Sequence, residues 1–353
     1  MVNYILHTLP IQCKKNMKKR VTIKDIARET GVNHSTVSRV INDNPAISDK
    51  TRKRVIKVMN EMNYKPNLIA RGLVRQKSNA MALITPDVNP HVTPIIKGIS
   101  DTCRRLNYGL MLFSTDYWLE ESRSYMDVVN NWLVDGVFIY NVIYHKHLPK
   151  NIKELQSEGV PVVFINKFVR GEEVNAVGID NYDAVEQAVS HLVNLGHKRI
   201  GYMGGGNMSV DGMERFEGFK HAVGKYDLEF DDRLFGMGNF GYGESYEEMK
   251  RILCLSCDKP TAMFCANDMM AIGAINAIRD RGFRVPEDIA IVGFDDTDAG
   301  KFFNPAITTI RPLLEDIGGK AISLLQKMIE EPQRAIEKVK IDTKLIVRES
   351  SVK

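Results

Sequence analysis

The chain has 353 residues, 44% hydrophobic and 26% charged, a composition of folded domains and more than one average core needs. No apolar run approaches the ~18 residues of a membrane span, and five scattered cysteines exclude a disulfide framework. The net charge of +4 hides a split: residues 18–77 hold fifteen Lys and Arg against five Asp and Glu, or +10. The first 17 residues add +2 and the other 276 carry −8, so a basic module joined to an acidic body points to a polyanion held by the first segment alone.

The opening MVNYILHTLP is mildly apolar, but its basic residues Lys14, Lys15, Lys18, Lys19 and Arg20 follow it and no small-residue cleavage site appears. That order does not read as a signal peptide. Residues 1–20 are expected to be a disordered tail, with 1–16 either part of it or upstream of a native start at Met17.

Residues 22–63 predict three short helices. Thr22 precedes the apolar series Ile23, Ile26, Ala27, and Asp25 stands where a capping box places Glu. Gly31 breaks the pattern at a turn that needs positive φ. Asn33 caps a second helix, His34 to Asn42, with Val37, Val40 and Ile41 as its buried stripe and His34, Ser35, Ser38, Arg39 and Asn42 opposite. Ser48 caps a third, with Val55, Val58, Met59 and Met62 inward and Arg52, Lys53, Arg54 and Lys57 outward.

Two short helices joined by a glycine turn, the second with a small polar face, describe a helix-turn-helix. His34 and Ser35 can donate to or accept from base edges, and Arg39 can fork onto guanine O6 and N7. Lys24, Thr36, Asn42, Ser48 and Thr51 suit phosphates, which position without specifying.

The segment VTIKDIARETGVNHSTVSRVINDNPAISDKTRKRVIKVMNEMNYKPNLIARGL resembles the DNA-binding segment of the lactose-repressor (LacI/GalR-type) family of bacterial transcriptional regulators. The resemblance continues from Val21 to Ser350. It implies a dimeric regulator of a pseudo-palindromic double-stranded DNA operator, with His34, Ser35 and Arg39 on base-reading positions. It also implies a hinge after Tyr64, where Pro66 stiffens the chain, Asn67 caps a short helix, Ala70 lets paired helices approach and Leu73 wedges a minor-groove step. Gly72 costs that helix roughly 1 kcal/mol against Ala, which suits an element that orders only on DNA.

From Ala80 onward, strand-like runs alternate with helical patterns: 80–87, 109–115, 136–140, 162–166, 176–180, 199–205, 261–267 and 289–295. Such a βα repeat predicts parallel sheets with ligand sites at their carboxyl ends, and the strands are too many for one compact sheet. The expected architecture is a small all-α helix-turn-helix head plus an α/β two-lobed sensor domain resembling periplasmic binding proteins. The expected boundaries are 21–66 for the head, 67–79 for the hinge and 80–353 for the sensor. Within the sensor, lobe 1 is about 80–178 plus 308–353 and lobe 2 about 179–307.

The resemblance places ligand contacts on His91, Asn166, Arg215, Phe240, Asn267 and Asp295. Arg215 can fork onto vicinal hydroxyls, Asp295 can accept from them, Asn267 can do both, and Phe240 can stack on a pyranose. The loop PDVNPHVTPI is one residue short of the family pattern and lacks its two adjacent aromatics, and Asn166 stands where relatives often hold Asp. The implied effector is a sugar or sugar phosphate, acting as inducer more often than corepressor in this family; control through a phosphoprotein partner is the alternative within the class.

Gly201-Tyr-Met-Gly-Gly-Gly has neither the Lys-Ser/Thr of a P-loop nor G-x-G-x-x-G spacing. Cys254 and Cys257 supply two of the four ligands a structural zinc needs and read as reduced thiols. No catalytic constellation, metal set or cofactor motif appears, so the chain is expected not to be an enzyme. It is expected to be a cytoplasmic, nucleoid-associated homodimer without a membrane partner; a transport binding protein would share the sensor but not the basic head.

Overall fold

The structure, a computed structural model, describes residues 21–65, 78–85, 88, 92–114, 134–140, 155, 157, 159–166, 174–205, 210–255 and 259–352. The chain divides into two compact units, Met1–Gln76 and Lys77–Lys353. The expected tail, the hinge residues Asn67, Ala70 and Leu73, and the pocket residue His91 lie outside the described residues.

The first unit contains α1 (Ile23–Thr30), α2 (His34–Ile41) and α3 (Asp49–Glu61). The capping box forms with Asp: the Thr22 amide donates to Asp25 Oδ2 at 2.9 Å, and Thr22 Oγ1 accepts from the Asp25 amide at 3.4 Å. Gly31 ends α1 at φ +65 with open space where a Cβ would stand, so conformation and not crowding selects glycine there. Ile26, Ala27, Val37, Val40 and Val55 form the buried core, with Val58, Met59 and Met62 packed on it. Arg52 departs from its expected outward direction. It turns back to donate to Asp43 Oδ1 at 2.7 Å and the Asn44 carbonyl at 2.8 Å, both in the α2–α3 connection.

The second unit holds two six-stranded sheets. One contains β1 (Ala80–Thr85), β2 (Gly109–Ser114), β3 (Gly136–Tyr140), β4 (Val162–Ile165), β5 (Ala176–Ile179) and β11 (Lys338–Ile341), in the order β11-β5-β4-β3-β1-β2 and all parallel. The other contains β6 (Ile200–Gly204), β7 (Phe235–Met237), β8 (Ala262–Cys265), β9 (Ala290–Phe294), β10 (Thr308–Pro312) and β12 (Thr343–Ile346), in the order β12-β10-β9-β8-β6-β7. Only β12 runs antiparallel there, against β10. β1, β3, β4, β5, β6, β8 and β9 are buried along their whole length, which is why they read as unbroken apolar runs.

The expected boundary of lobe 1 needs a correction. β10, placed with the first lobe from sequence, pairs with β9 in the second sheet, Thr308 opposite Val292. β12 follows it there, so from the 308–353 return only β11 adds a strand to the first sheet. A single residue, Asp342, joins β11 to β12 and carries the chain from one sheet to the other.

The body's described helices are α4 (Thr93–Arg105), α5 (Asn181–Asn194), α6 (Val210–Lys225), α7 (Tyr242–Leu253), α8 (Asp268–Asp280), α9 (Asp298–Phe302) and α10 (Leu314–Glu330). α4 and α10 cross in backbone contact at two glycines: a Cβ on Gly318 would lie 2.1 Å from the Gly98 carbonyl carbon, and one on Gly98 2.7 Å from the Glu315 oxygen.

Candidate functional site

In the head, His34, Ser35 and Arg39 are all exposed on α2, and Lys24 is exposed on α1. The α2 cap engages one of them: Asn33 Oδ1 accepts from both the amide and the hydroxyl of Ser35 at 3.1 Å, so the hydroxyl's proton is committed and its oxygen can act towards a base as an acceptor. Thr36 is half-buried, and Asn42 is a half-buried C-cap of α2. Ser48 and Thr51 are engaged with each other at the start of α3, Oγ to Oγ1 at 3.0 Å.

In the body, four of the predicted ligand residues follow parallel strands at their carboxyl ends, where backbone groups leave the ladder. Asn166 follows β4, Phe240 lies just beyond β7, Asn267 follows β8 and Asp295 follows β9. Three of them hold positive φ: Asn166 at 58, Phe240 at 59 and Asp295 at 100. Such conformations are rare outside glycine and concentrate at binding sites. Backbone bonds hold two of them: the Asn166 amide donates to the Val177 carbonyl and the Asp295 amide to the Ile310 carbonyl, both at 2.8 Å.

Arg215, on α6, is the centre of the cluster and is 2% exposed. Its Nε donates to Asn181 Oδ1 at 3.0 Å and its Nη1 to the Ala266 carbonyl at 2.6 Å. The guanidinium lies over the Phe294 ring, Cζ 3.6 Å from the centroid, and Nη1 stands 3.9 Å from Asp295 Oδ1. For Nη2 the described residues supply no partner.

Sequence reasoning missed the polar network that fixes this arginine. Asn181 Nδ2 donates to Asp211 Oδ1 and to Glu214 Oε2, both at 2.9 Å, and Asn166 Nδ2 donates to Asp211 Oδ2 at 3.3 Å. Asp211, Glu214 and Arg215 recur at helical spacing on one face of α6, a signal available in the sequence once a helix is placed there. Beneath Asp295 lies fully buried Asp268, which accepts from the Thr297 amide at 2.7 Å and from Thr309 Oγ1 at 2.6 Å.

Burial dominates the electrostatics. It pushes the Asp295 carboxyl up to about 7, against the opposing pull of Arg215. Asp268 is likewise raised to about 7 by burial and then by the charge of Asp295. Glu214 is raised to about 7 by burial, with Asp211 adding to the rise and the Asn181 hydrogen bond opposing it.

Two predicted contacts take a more structural form. Asn267 Oδ1 caps α8 by accepting from the Met270 amide at 2.8 Å, while its Nδ2 donates to the Phe240 carbonyl at 3.2 Å, so both ends of the amide are engaged. The Phe240 ring lies against the Gly205 α-carbon, where a Cβ would meet Cζ at 2.0 Å. The glycine run thus seats an aromatic ring.

Residues 22–67 match the family described as bacterial regulatory proteins, lacI family, and residues 189–351 match the periplasmic binding protein-like domain. The chain is 31% identical over 330 residues to the HTH-type transcriptional repressor PurR of Mannheimia succiniciproducens, covering 93% of this chain and 98% of that one. It is 32% identical to the HTH-type transcriptional regulator DegA of Bacillus subtilis, over 94% and 98%, and 32% identical to catabolite control protein A of Priestia megaterium, over 88% and 93%. Among solved structures it resembles the lac repressor dimer bound to operator and the anti-inducer ONPF, with TM-score 0.83, 25% identity and coverage of 95% and 100%. It also resembles the CelR–cellobiose complex, with TM-score 0.70, 29% identity and coverage of 94% and 100%.

Proposed function

The chain belongs to the lacI family of bacterial regulatory proteins, DNA-binding regulators of transcription, and on that premise we propose that it is a homodimeric repressor released from a pseudo-palindromic operator by a sugar or sugar derivative. The observation that carries the effector reading is Arg215: a buried guanidinium stacked on Phe294, fixed by Asn181 and the Ala266 carbonyl, beside Asp295 at the strand ends. The remaining Nη2 donors next to a carboxylate match paired hydroxyls, which donate and accept together. Asn267 and Phe240 complete this side of the site, Asn166 adds a contact from the first sheet, and His91 is a further ligand residue in this reading.

In the head, His34, Ser35 and Arg39 read bases, while Lys24, Thr36, Asn42, Ser48 and Thr51 contact phosphates. Asn67, Ala70 and Leu73 act in the minor groove. The effector prefers the arrangement of the body that does not hold the operator, and a tenfold change in operator affinity needs about 1.4 kcal/mol of such preference.

The test is fluorescence anisotropy of the full chain on duplexes selected by it from a random pool, with and without sugars that raise its melting temperature. The expected result is tight salt-dependent binding that a stabilising sugar weakens. Failure to select any sequence would remove the base-reading roles; selection without any sugar response would remove the effector reading.

A further inference from the structure

We propose that the effector site discriminates by charge: it accepts an unphosphorylated hydroxylated compound, neutral or bearing an amine, and rejects the phosphate ester of that compound. The inference rests on the strand-end cluster being the effector site, as proposed above. Among the described residues, Arg215 is the cation of the cluster, against the carboxylates of Asp211, Glu214 and Asp295. That arginine already donates through Nε and Nη1 to Asn181 and the Ala266 carbonyl and stands beside Asp295, so a carboxylate offsets its charge before a ligand arrives. The Lys340 ammonium near the cluster is already paired with Asp180 and is not a free cation.

The second observation is an orphaned acceptor. Asn166 is 2% exposed, and its Nδ2 is turned towards Asp211 because a carboxylate can only accept. Its Oδ1 is left buried with no partner among the described residues. An isolated acceptor beside carboxylates is satisfied by a ligand that donates, as hydroxyls and ammonium groups do. An ionised phosphate offers acceptors and further negative charge. The cluster already resists ionisation: the Glu214 and Asp295 carboxyls are raised by burial, and the charge of Asp211 raises both further.

The test is isothermal titration of the full chain with matched pairs: glucose, glucosamine, ribose and cellobiose, each beside its phosphate ester. The expected result is that the best-binding member is unphosphorylated and at least tenfold tighter than its ester. An ester that binds as tightly as its parent, or tighter, overturns the inference and leaves the effector site in place. Silence from every member overturns the carbohydrate reading itself, and this inference with it. Asp211→Asn should narrow the ratio by improving the ester, with Glu214→Gln measured beside it in case the first variant misfolds. An unchanged ratio in a folded variant of either kind overturns the charge argument.

Discussion

Asn166 and Asp211 are hydrogen-bonded at 3.3 Å, Nδ2 to Oδ2, joining the residue after β4 of the first sheet to the first turn of α6 beside the second. Both are buried, at 2% and 7% exposure. The pair shows why an amide stands at 166 in this chain: the acidic partner is on the α6 side. Asn166→Asp would set two buried carboxylates against each other at a cost on the order of 2–4 kcal/mol. The variant should melt well below the parent at pH 8 and recover much of the difference at pH 5, where one carboxyl keeps a proton. Equal melting temperatures at pH 8 would show that the contact carries no weight.

Arg215→Ala removes the donors of Asn181 Oδ1 and the Ala266 carbonyl and leaves Asp295 buried without its cation. Losing one side of a buried charged network costs roughly 3–5 kcal/mol. The body should lose that much in denaturant titration, together with any effector-induced change in operator affinity. Operator binding without effector should persist, since the head folds on its own core.

The raised carboxyls set a direction for pH dependence. Asp268, Asp295 and Glu214 each titrate near 7 in the folded chain, above the ordinary carboxylate range. The folded state therefore binds their protons more tightly than the unfolded state. The stability they contribute is complete below about pH 4, falls as pH rises towards 7 and is constant above it. Acidifying from pH 8 to 6 should raise the melting temperature of the body, and Asp295→Asn combined with Glu214→Gln should flatten that slope. A double variant with the parent's slope would contradict the assignment.

On the DNA side, Arg39→Ala should cost roughly 1–3 kcal/mol in binding the selected sequence and relax preference at one base pair. Lys24→Ala should weaken all sequences alike and reduce the salt dependence by about one counterion. Competition binding against single-base variants of the selected site, at two salt concentrations, separates the two effects. Loss of base preference in Lys24→Ala would exchange their roles.

Two neighbouring glycines on α10 should respond in opposite directions. Gly318→Ala drives a methyl into the α4 backbone at Gly98, and such overpacking typically costs 1–3 kcal/mol, a rough range. Gly319→Ala meets nothing within 4 Å and should gain about 0.4–1 kcal/mol from helix propensity and reduced unfolded-state freedom. Chemical denaturation of both variants measures the difference, and equal stabilities would contradict the close α4–α10 crossing.

The head was legible residue by residue because its signals are local. A cap, the residue three positions on, a 3.6-residue apolar period and a glycine at the helix end act over a few residues, and α1, α2 and α3 begin where Thr22, Asn33 and Ser48 indicate. The long buried strands were legible for the same reason. β7 was not, being three residues, and β10, β11 and β12 were not, because polar and charged positions such as Thr308, Thr309, Lys338, Lys340 and Lys344 leave no apolar run.

The amino-acid sequence by itself determined the helices of the basic head, the long buried strands and which residues end them. Tertiary structure decided what those residues do. Thr308–Pro312 joins the second sheet because its neighbour is β9, Asn267 is occupied because α8 needs a cap and Phe240 offers a carbonyl, and Arg215 is fixed by Asn181 and Ala266 from distant parts of the chain. Periodicity and capping are written within a few consecutive residues. Hydrogen-bond supply and the loss of water around a charge depend on atoms brought close from tens of residues away, and only folding sets those distances.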